Sequence, residues 1–432
     1  MLFRAAEIAA GIGGRLSGPD VDLTSVTQDS REVVPGSLFV ALEADRDGHD
    51  FLEAAAASGA GAALVSKPID ATAVTQIIVP DTAVGLLRLG SLARDRVGGP
   101  VIGVTGSVGK TTTKDFLASV MAAGRRAHAN TRSFNNEIGV PLTLVNAPDQ
   151  VDAVVVEMGA RHPGDIAALC EVARPTIGII TTVGAAHTGV FGSVAAIAKG
   201  KGELYEALPP DGCAVVNADN ALVVEQAGRT AARTITFGDA GEVRASGVTV
   251  DEQLRPTFRL ESPWGRVDVS LGAAGVQSVP NALAAAAAAL VADVPLDLVA
   301  EQLGRAQISP WRMEVRRAAS GAMVINDSYN ANPISMRAAL QSLAAAPGAR
   351  KVAVLGLMAE LDDEAAAHRE MAGLARELGI ELVAFDTALY GGEPVPTIDD
   401  AVALIGPLDA QSCVLVKGSR VAGLEQLAEQ LA

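Results

Sequence analysis

Short, almost uninterrupted apolar runs recur along the chain and alternate with stretches of helical period. The runs at 101–104, 153–156, 177–181 and 214–216 are rich in Val and Ile and lack a polar face, which predicts parallel strands covered on both sides. A second series at 324–326, 352–355, 382–385 and 414–416, again separated by helical patterns, predicts a second doubly wound sheet. Ahead of both, 5–12 and 51–58 have amphipathic helical patterns, while 37–42 and 62–65 read as strands. The more polar stretch 234–269 alternates and predicts antiparallel strands; the alanine-rich helix after it, from Asn281, is expected to pack closely on a neighbour. Gly98-Gly99-Pro100 cannot continue a helix, and Ser309-Pro310-Trp311 reads as a hinge. The pattern predicts an α/β protein of three units: a small α/β unit at 1–98, a mostly parallel sheet at 99–309, and a Rossmann-like doubly wound unit at 310–432.

Composition narrows the function classes. Hydrophobic residues make up 49% and charged residues 19%, enough for buried cores, and at 3% aromatics those cores must be filled by Ala, Val and Leu. A net charge of −16 argues against a nucleic-acid surface, which needs clustered Lys and Arg. Cys170, Cys213 and Cys413 are far apart, odd in number and set among apolar residues, so buried free thiols are expected, as suits a reducing cytosol. Glu7 interrupts the N-terminal apolar stretch, and the run 282–292 is too short to span a bilayer. A cytoplasmic protein without a membrane span follows as the expectation.

The chemistry begins where the run 101–104 meets Thr105-Gly106-Ser107-Val108-Gly109-Lys110-Thr111-Thr112 and a helical pattern follows. Strand, glycine loop and helix in that order aim backbone N–H groups and a helix N-terminus at an anion. Lys110 would reach the β/γ-phosphates, and Thr111 or Thr112 would offer a hydroxyl to Mg²⁺. The spacing is tighter than the common phosphate loop, since Val104 stands where that pattern has Gly. The loop predicts binding of ATP or GTP. Ligands of open α/β sheets sit beyond the carboxyl ends of the strands. Glu157 ends one run and His187 follows another, so both should reach the same rim and could hold Mg²⁺. From spacing alone, Lys199 and Lys201 read as solvated lysines at a helix end.

These motifs together resemble the Mur ligases, ATP-dependent enzymes that build the peptide of bacterial cell-wall precursors. Asp29-Ser30-Arg31, Gly36-x-Leu38-Phe39-Val40-Ala41-Leu42 and Asp47-Gly48-His49-Asp50-Phe51 resemble the UDP-sugar domain of the tripeptide and D-alanyl-D-alanine branches. The run from Asn130 to Leu142, with Phe134-Asn135-Asn136-Glu137, resembles the D-alanyl-D-alanine branch, as does Asp327-Ser328-Tyr329-Asn330-Ala331-Asn332-Pro333. The diaminopimelate-reading Asp-Asn-Pro-Arg motif is absent.

What the resemblance implies can be carried over residue by residue. Lys110 and residues Thr105 to Thr112 would contact nucleotide phosphates, with Thr111, Glu157 and His187 as Mg²⁺ ligands. Lys201 matches the lysine that reacts with CO₂ to become a carbamate, turning a cation into a carboxylate-like metal ligand. That replaces the solvated-lysine reading. Asn281 would contact adenine, and Arg312 and Asp327 the ATP phosphate and ribose. Ser30, Arg31, Asp47, His49, Asn135, Asn136, Tyr329, Asn330 and Asn332 would meet the two substrates. Gln277 and Ser278 replace a His-Asn type pair of the family. Lys417 falls in a final strand-loop motif to which no role is given.

The implied reaction joins UDP-N-acetylmuramoyl-tripeptide to D-alanyl-D-alanine through an acyl phosphate, in a protein expected to be monomeric. A related amide ligase acting on a different acid or amine is the nearest alternative, and a catalytically dead nucleotide-binding relative is the other.

Overall fold

A computed structural model describes residues 1–70, 74–130, 134–185 and 188–432. Three main sheets follow one another along the chain. The first has the spatial order Arg15–Ser17, Thr75–Ile78, Ala62–Val65, Ser37–Val40, Ser25–Thr27, and only its first strand runs antiparallel. The second is wholly parallel, in the order Arg233–Phe237, Cys213–Asn217, Ile177–Ile180, Val101–Thr105, Ala153–Glu157, Ala127–Ala129. The third is ordered Glu314–Arg317, Met323–Asn326, Ser412–Lys417, Arg350–Leu355, Glu381–Ala384. It is parallel but for Glu314–Arg317.

Period-two alternation decides which core each strand side chain enters. On Ala153–Glu157, Val154 and Val156 point to one core and Ala153 and Val155 to the other. The second core holds the helices Lys110–Gly124 and Ser278–Val291. Ala282 and the run from Ala284 to Ala289 have no exposed surface, which is the close packing that small side chains allow. The first core does not stop at residue 98. It runs from Met1, Ile8 and Ile12 through Leu86 and Leu89 of helix Thr82–Arg94 to Val140, Leu169 and Leu204. The third sheet has separate cores on its two faces, the doubly wound arrangement its sequence pattern predicts.

Some boundaries differ from the sequence reading. Residues 233–237 do not belong to an antiparallel set; they extend the parallel sheet beside Cys213–Asn217. The antiparallel ribbon starts at Arg244–Val250 and continues through Pro256–Ser262 and Gly265–Ser270. The alanine-rich helix begins at Ser278, not Asn281, because Pro280 is tolerated in a first turn whose N–H groups have no intrahelical partner. The strands at 15–17, 25–27, 75–78, 127–129 and 314–317 are short or polar and had no predicted counterpart. Among the described residues no helix is long and apolar enough to cross a membrane.

Candidate active site

Val101–Thr105 lies between Ile177–Ile180 and Ala153–Glu157, so the loops after these three strands share one sheet edge. The loop after Val101–Thr105 is the glycine loop. Gly106 has φ +150°, and a Cβ there would lie 1.9 Å from Thr181 Oγ1. Gly109 has φ +85°, and a Cβ would lie 2.2 Å from Asn281 Oδ1. Glycine is required at both for conformation and for space. Ser107 ties the loop to the next one, its N–H donating to Thr182 O at 2.8 Å and its hydroxyl to Gly184 O at 3.1 Å. Lys110 Nζ folds back to Gly106 O at 2.7 Å, and burial pulls its ammonium below the ordinary lysine value. Val108 O accepts from Thr181 Oγ1 at 2.6 Å. The Thr105 hydroxyl is buried and has no hydrogen-bond partner among the described residues.

The loop opens on a cavity of about 1060 Å³. Glu157, 1% exposed, stands in its floor. Its Oε2 accepts from the Thr111 hydroxyl at 2.8 Å and its Oε1 from Asn135 Nδ2 at 2.8 Å. Of the two threonines left open by the sequence, Thr111 is the one that meets the carboxylate; Thr112 lines the same cavity. Thr111 Oγ1 also accepts from Arg312 Nη2 at 2.8 Å, so a side chain from beyond Ser309-Pro310-Trp311 reaches the phosphate loop. Lys201 lines the cavity at 2% exposure. Desolvation, reinforced by the Lys110 charge, pushes it down to about 7. It is not the solvated lysine that spacing alone implied.

The far wall comes from the third sheet. The Arg312 guanidinium lies 4.1 Å from the centre of the Tyr329 ring. Asp327 Oδ2 pairs with Lys417 Nζ at 2.6 Å, and its Oδ1 accepts from Met313 N at 3.0 Å. Lys417 also donates to Asn330 O at 2.8 Å, which gives the final strand a role the sequence left blank. Asn332 caps the helix Pro333–Ala345, its Oδ1 accepting from Ser335 N at 2.9 Å. Asn281, Asn136, Tyr329, Asn330 and Asn332 all line the cavity. Gln277 accepts from Ser342 Oγ at 2.8 Å, a contact between the second and third units.

Four expected substrate residues lie elsewhere. Ser30, Arg31, Asp47 and His49 are in the first unit, and none of them lines this cavity. Arg31 pairs with Asp29 at 2.6 Å and holds that carboxyl down to about 2. His49 is buried with both ring nitrogens engaged: Nδ1 is 2.6 Å from Asp47 Oδ1, and Nε2 accepts from Ser66 N at 3.0 Å. That pattern puts the proton on Nδ1 and makes His49 a brace for its own loop. His187 lies outside the described residues, as do Thr131, Arg132 and Ser133.

Comparison with known proteins bears on the whole arrangement. The family profile described as the Mur ligase middle domain matches residues 104–289, and that of the Mur ligase glutamate ligase domain matches 311–420. An Escherichia coli protein named UDP-N-acetylmuramoyl-tripeptide–D-alanyl-D-alanine ligase is 36% identical over 436 residues, covering 97% of this chain and 96% of its own length. This chain belongs to the Mur ligase family. A Mycobacterium bovis protein of the same name is 41% identical, over 85% of this chain and 79% of the relative. Among solved structures, MurF from Acinetobacter baumannii superposes with a TM-score of 0.91 at 32% identity, covering 100% of this chain and 99% of that one. MurF ligase from Thermotoga maritima in complex with ADP gives 0.81 at 27% identity, over 94% and 96%. These neighbours carry the three-unit α/β fold along essentially the whole Mur ligase chain.

Three residues behind the cavity have no role assigned from the sequence, where Asn130 is only the start of a branch motif. Asn130 accepts from Glu157 N through its Oδ1 at 2.9 Å, and Lys114 and Asp115 form a buried pair at 2.7 Å behind it. A lysine followed by an aspartate on a helix reads as a solvated face, and only the fold shows that both are covered.

Proposed function

We propose that this Mur ligase joins D-alanyl-D-alanine to UDP-N-acetylmuramoyl-tripeptide at the expense of ATP, as the names of its near-full-length relatives describe. The observation that carries the reading is one cavity bringing together a phosphate loop, a buried carboxylate, a buried lysine of low basicity and an arginine from beyond Ser309-Pro310-Trp311. The division at 98 and 309 then gives the first unit the UDP-sugar, the second the nucleotide phosphates, and the third the dipeptide and part of the nucleotide.

The donor set suits Mg²⁺. Glu157 is a buried carboxylate whose partners among the described residues are a hydroxyl and an amide, and with Thr111 it offers the hard oxygen ligands that this ion prefers. Bound there, Mg²⁺ would neutralise phosphate charge during transfer. Lys201 supports the carbamate reading. A buried amine that gives up its proton near pH 7 has a free lone pair to attack CO₂, and the product is an anion once that nitrogen loses a proton. The family resemblance adds His187 to the proposed Mg²⁺ ligands.

The chain's own groups carry the rest. Lys110 and the loop N–H groups hold the phosphates, while Arg312 spans from the third unit to Thr111. A substrate carboxylate oxygen attacks the γ-phosphorus and ADP leaves. The dipeptide amine then attacks the acyl carbon, loses a proton and expels phosphate. No side-chain nucleophile is needed, because phosphate activates the acid. Three buried free thiols fit a reducing compartment, and a cytoplasmic monomer completes the reading.

The test is phosphate release from Mg-ATP with each substrate alone and with both. Release with both together, and a product of the pentapeptide mass, is expected. Release with neither lysine- nor diaminopimelate-containing tripeptide would assign the site to another acid–amine pair.

A further inference from the structure

Lys114 and Asp115 follow the phosphate loop on helix Lys110–Gly124, with side chains only 4% and 9% exposed. Burying an ion pair costs several kcal/mol per charge before any attraction is counted, so the pair persists only with strong geometry and further hydrogen bonds. Adjacent residues on a helix do not face one another. Each must therefore be aimed by what lies beyond it.

What lies beyond differs for the two. Asp115 Oδ1 is 2.7 Å from Lys114 Nζ, and its Oδ2 accepts from the backbone N–H of Ser309 at 2.8 Å. Ser309 opens the connection into the third sheet, three residues ahead of Arg312. Lys114 Nζ also donates to Asn130 O at 3.1 Å. Asn130 in turn accepts from Glu157 N through Oδ1 and donates to Phe134 O at 3.3 Å, beside Asn135, whose amide holds Glu157 Oε1. Polar contacts, linked covalently through Asn130 and through Phe134-Asn135, thus run from the connection at Ser309, through two charges, to the backbone and carboxylate of Glu157.

We propose that Lys114 and Asp115 are positioning residues, a buried strut that sets Glu157 and the connection carrying Arg312 in register. The inference rests on the ligase reading for its purpose, not for its geometry. Neither residue touches the cavity. Two groups from different units must meet at Thr111, Glu157 from one side and Arg312 from the other, and the strut braces both from behind.

Hydrogen exchange resolved to single amides tests this without substrate. In Asp115→Ala, exchange at Ser309 should quicken by about ten-fold or more, and exchange at Glu157 with it, while Thr181, bonded to Thr105 O on a neighbouring strand, changes by less than about two-fold. Asp115→Asn, which keeps an acceptor for Ser309 but drops the charge facing Lys114, should loosen Glu157 more than Ser309. Faster exchange at Ser309 with Glu157 unmoved, or an equal rise at all three amides, would overturn the strut.

Turnover gives the second readout. Asp115→Asn should lower kcat by about ten-fold with each KM within about two-fold, and should shrink the gain in ADP affinity that Mg²⁺ confers. Val120→Ala, buried on the same helix, should lose stability but keep kcat. A wild-type protein silent toward both substrates would sink the ligase reading and leave the exchange test standing.

Discussion

Lys201 should be a measurable burden on the folded protein until it is modified. Its ammonium is desolvated, and the Lys110 charge adds to the cost, so the value falls from 10.5 to about 7. Each pH unit between those values is worth about 1.4 kcal/mol, and the gap corresponds to about 4–5 kcal/mol against folding. Below pH 7 both folded and unfolded chains hold the proton, and the whole cost is present. Between 7 and 10.5 the unfolded chain keeps the proton while the folded one releases it, so stability rises with pH across that window. Lys201→Met removes the charge at similar length. The variant should therefore be more stable than wild type at pH 7 in CO₂-free buffer, with the advantage fading toward pH 10. Denaturant midpoints of both proteins, followed by circular dichroism from pH 6.5 to 10, measure the difference. Bicarbonate at pH 8 should raise the wild-type midpoint, because at that pH the neutral amine that CO₂ attacks is present chiefly in the folded chain and its carbamylation favours folding, and should leave Lys201→Met unmoved. Parallel pH curves for the two proteins would refute the burial argument, and an equal bicarbonate response would refute the carbamate.

Three further perturbations probe other parts of the site. Lys110→Ala should abolish phosphate release without lowering the melting midpoint, since the side chain bonds only its own loop among the described residues and its buried charge opposes that of Lys201; retained turnover would remove this loop from the chemistry. Asn332→Ala should cost about 1 kcal/mol through loss of the cap on Pro333–Ala345, read as a lower urea midpoint, and an unchanged midpoint would show the cap to be idle. Burial pushes the Cys170 thiol up to about 12, so a thiol reagent at pH 8 should label it only after unfolding; rapid labelling of the native protein would contradict its burial.

The parts of the fold that could be read from sequence are those in which a residue's environment depends on near neighbours. The strands at 101–105, 153–157 and 412–417 are buried on both faces and announce themselves as apolar runs. Edge strands such as Glu314–Arg317 and Ala127–Ala129 take their identity from a partner across the sheet and carry no run of their own. The phosphate loop was legible because its glycines are locally required, as the φ values at Gly106 and Gly109 show. Spacing misjudged Lys201, since burial of a lysine on helix Val194–Glu206 is set by the sheet it packs on. Lys114, Asp115 and Asn130 have no role assigned from the sequence for the same reason: their partners are up to 194 residues away in sequence.

The core that passes uninterrupted from Met1 and Ile12 to Val154 and Leu204 makes the first two units a single jaw. Parting them would expose Leu86, Leu89, Val140 and Val172 to water, at about 1.5–3 kcal/mol for each large side chain. Span then becomes a criterion of selection. If the first unit grips the sugar end, as proposed, the far carboxylate would sit at one fixed reach from Lys110, so a peptide one residue short would stop before the phosphate and one residue long would overshoot it. Counting residues in the growing peptide needs no side-chain recognition under this arrangement, only a ruler that does not bend.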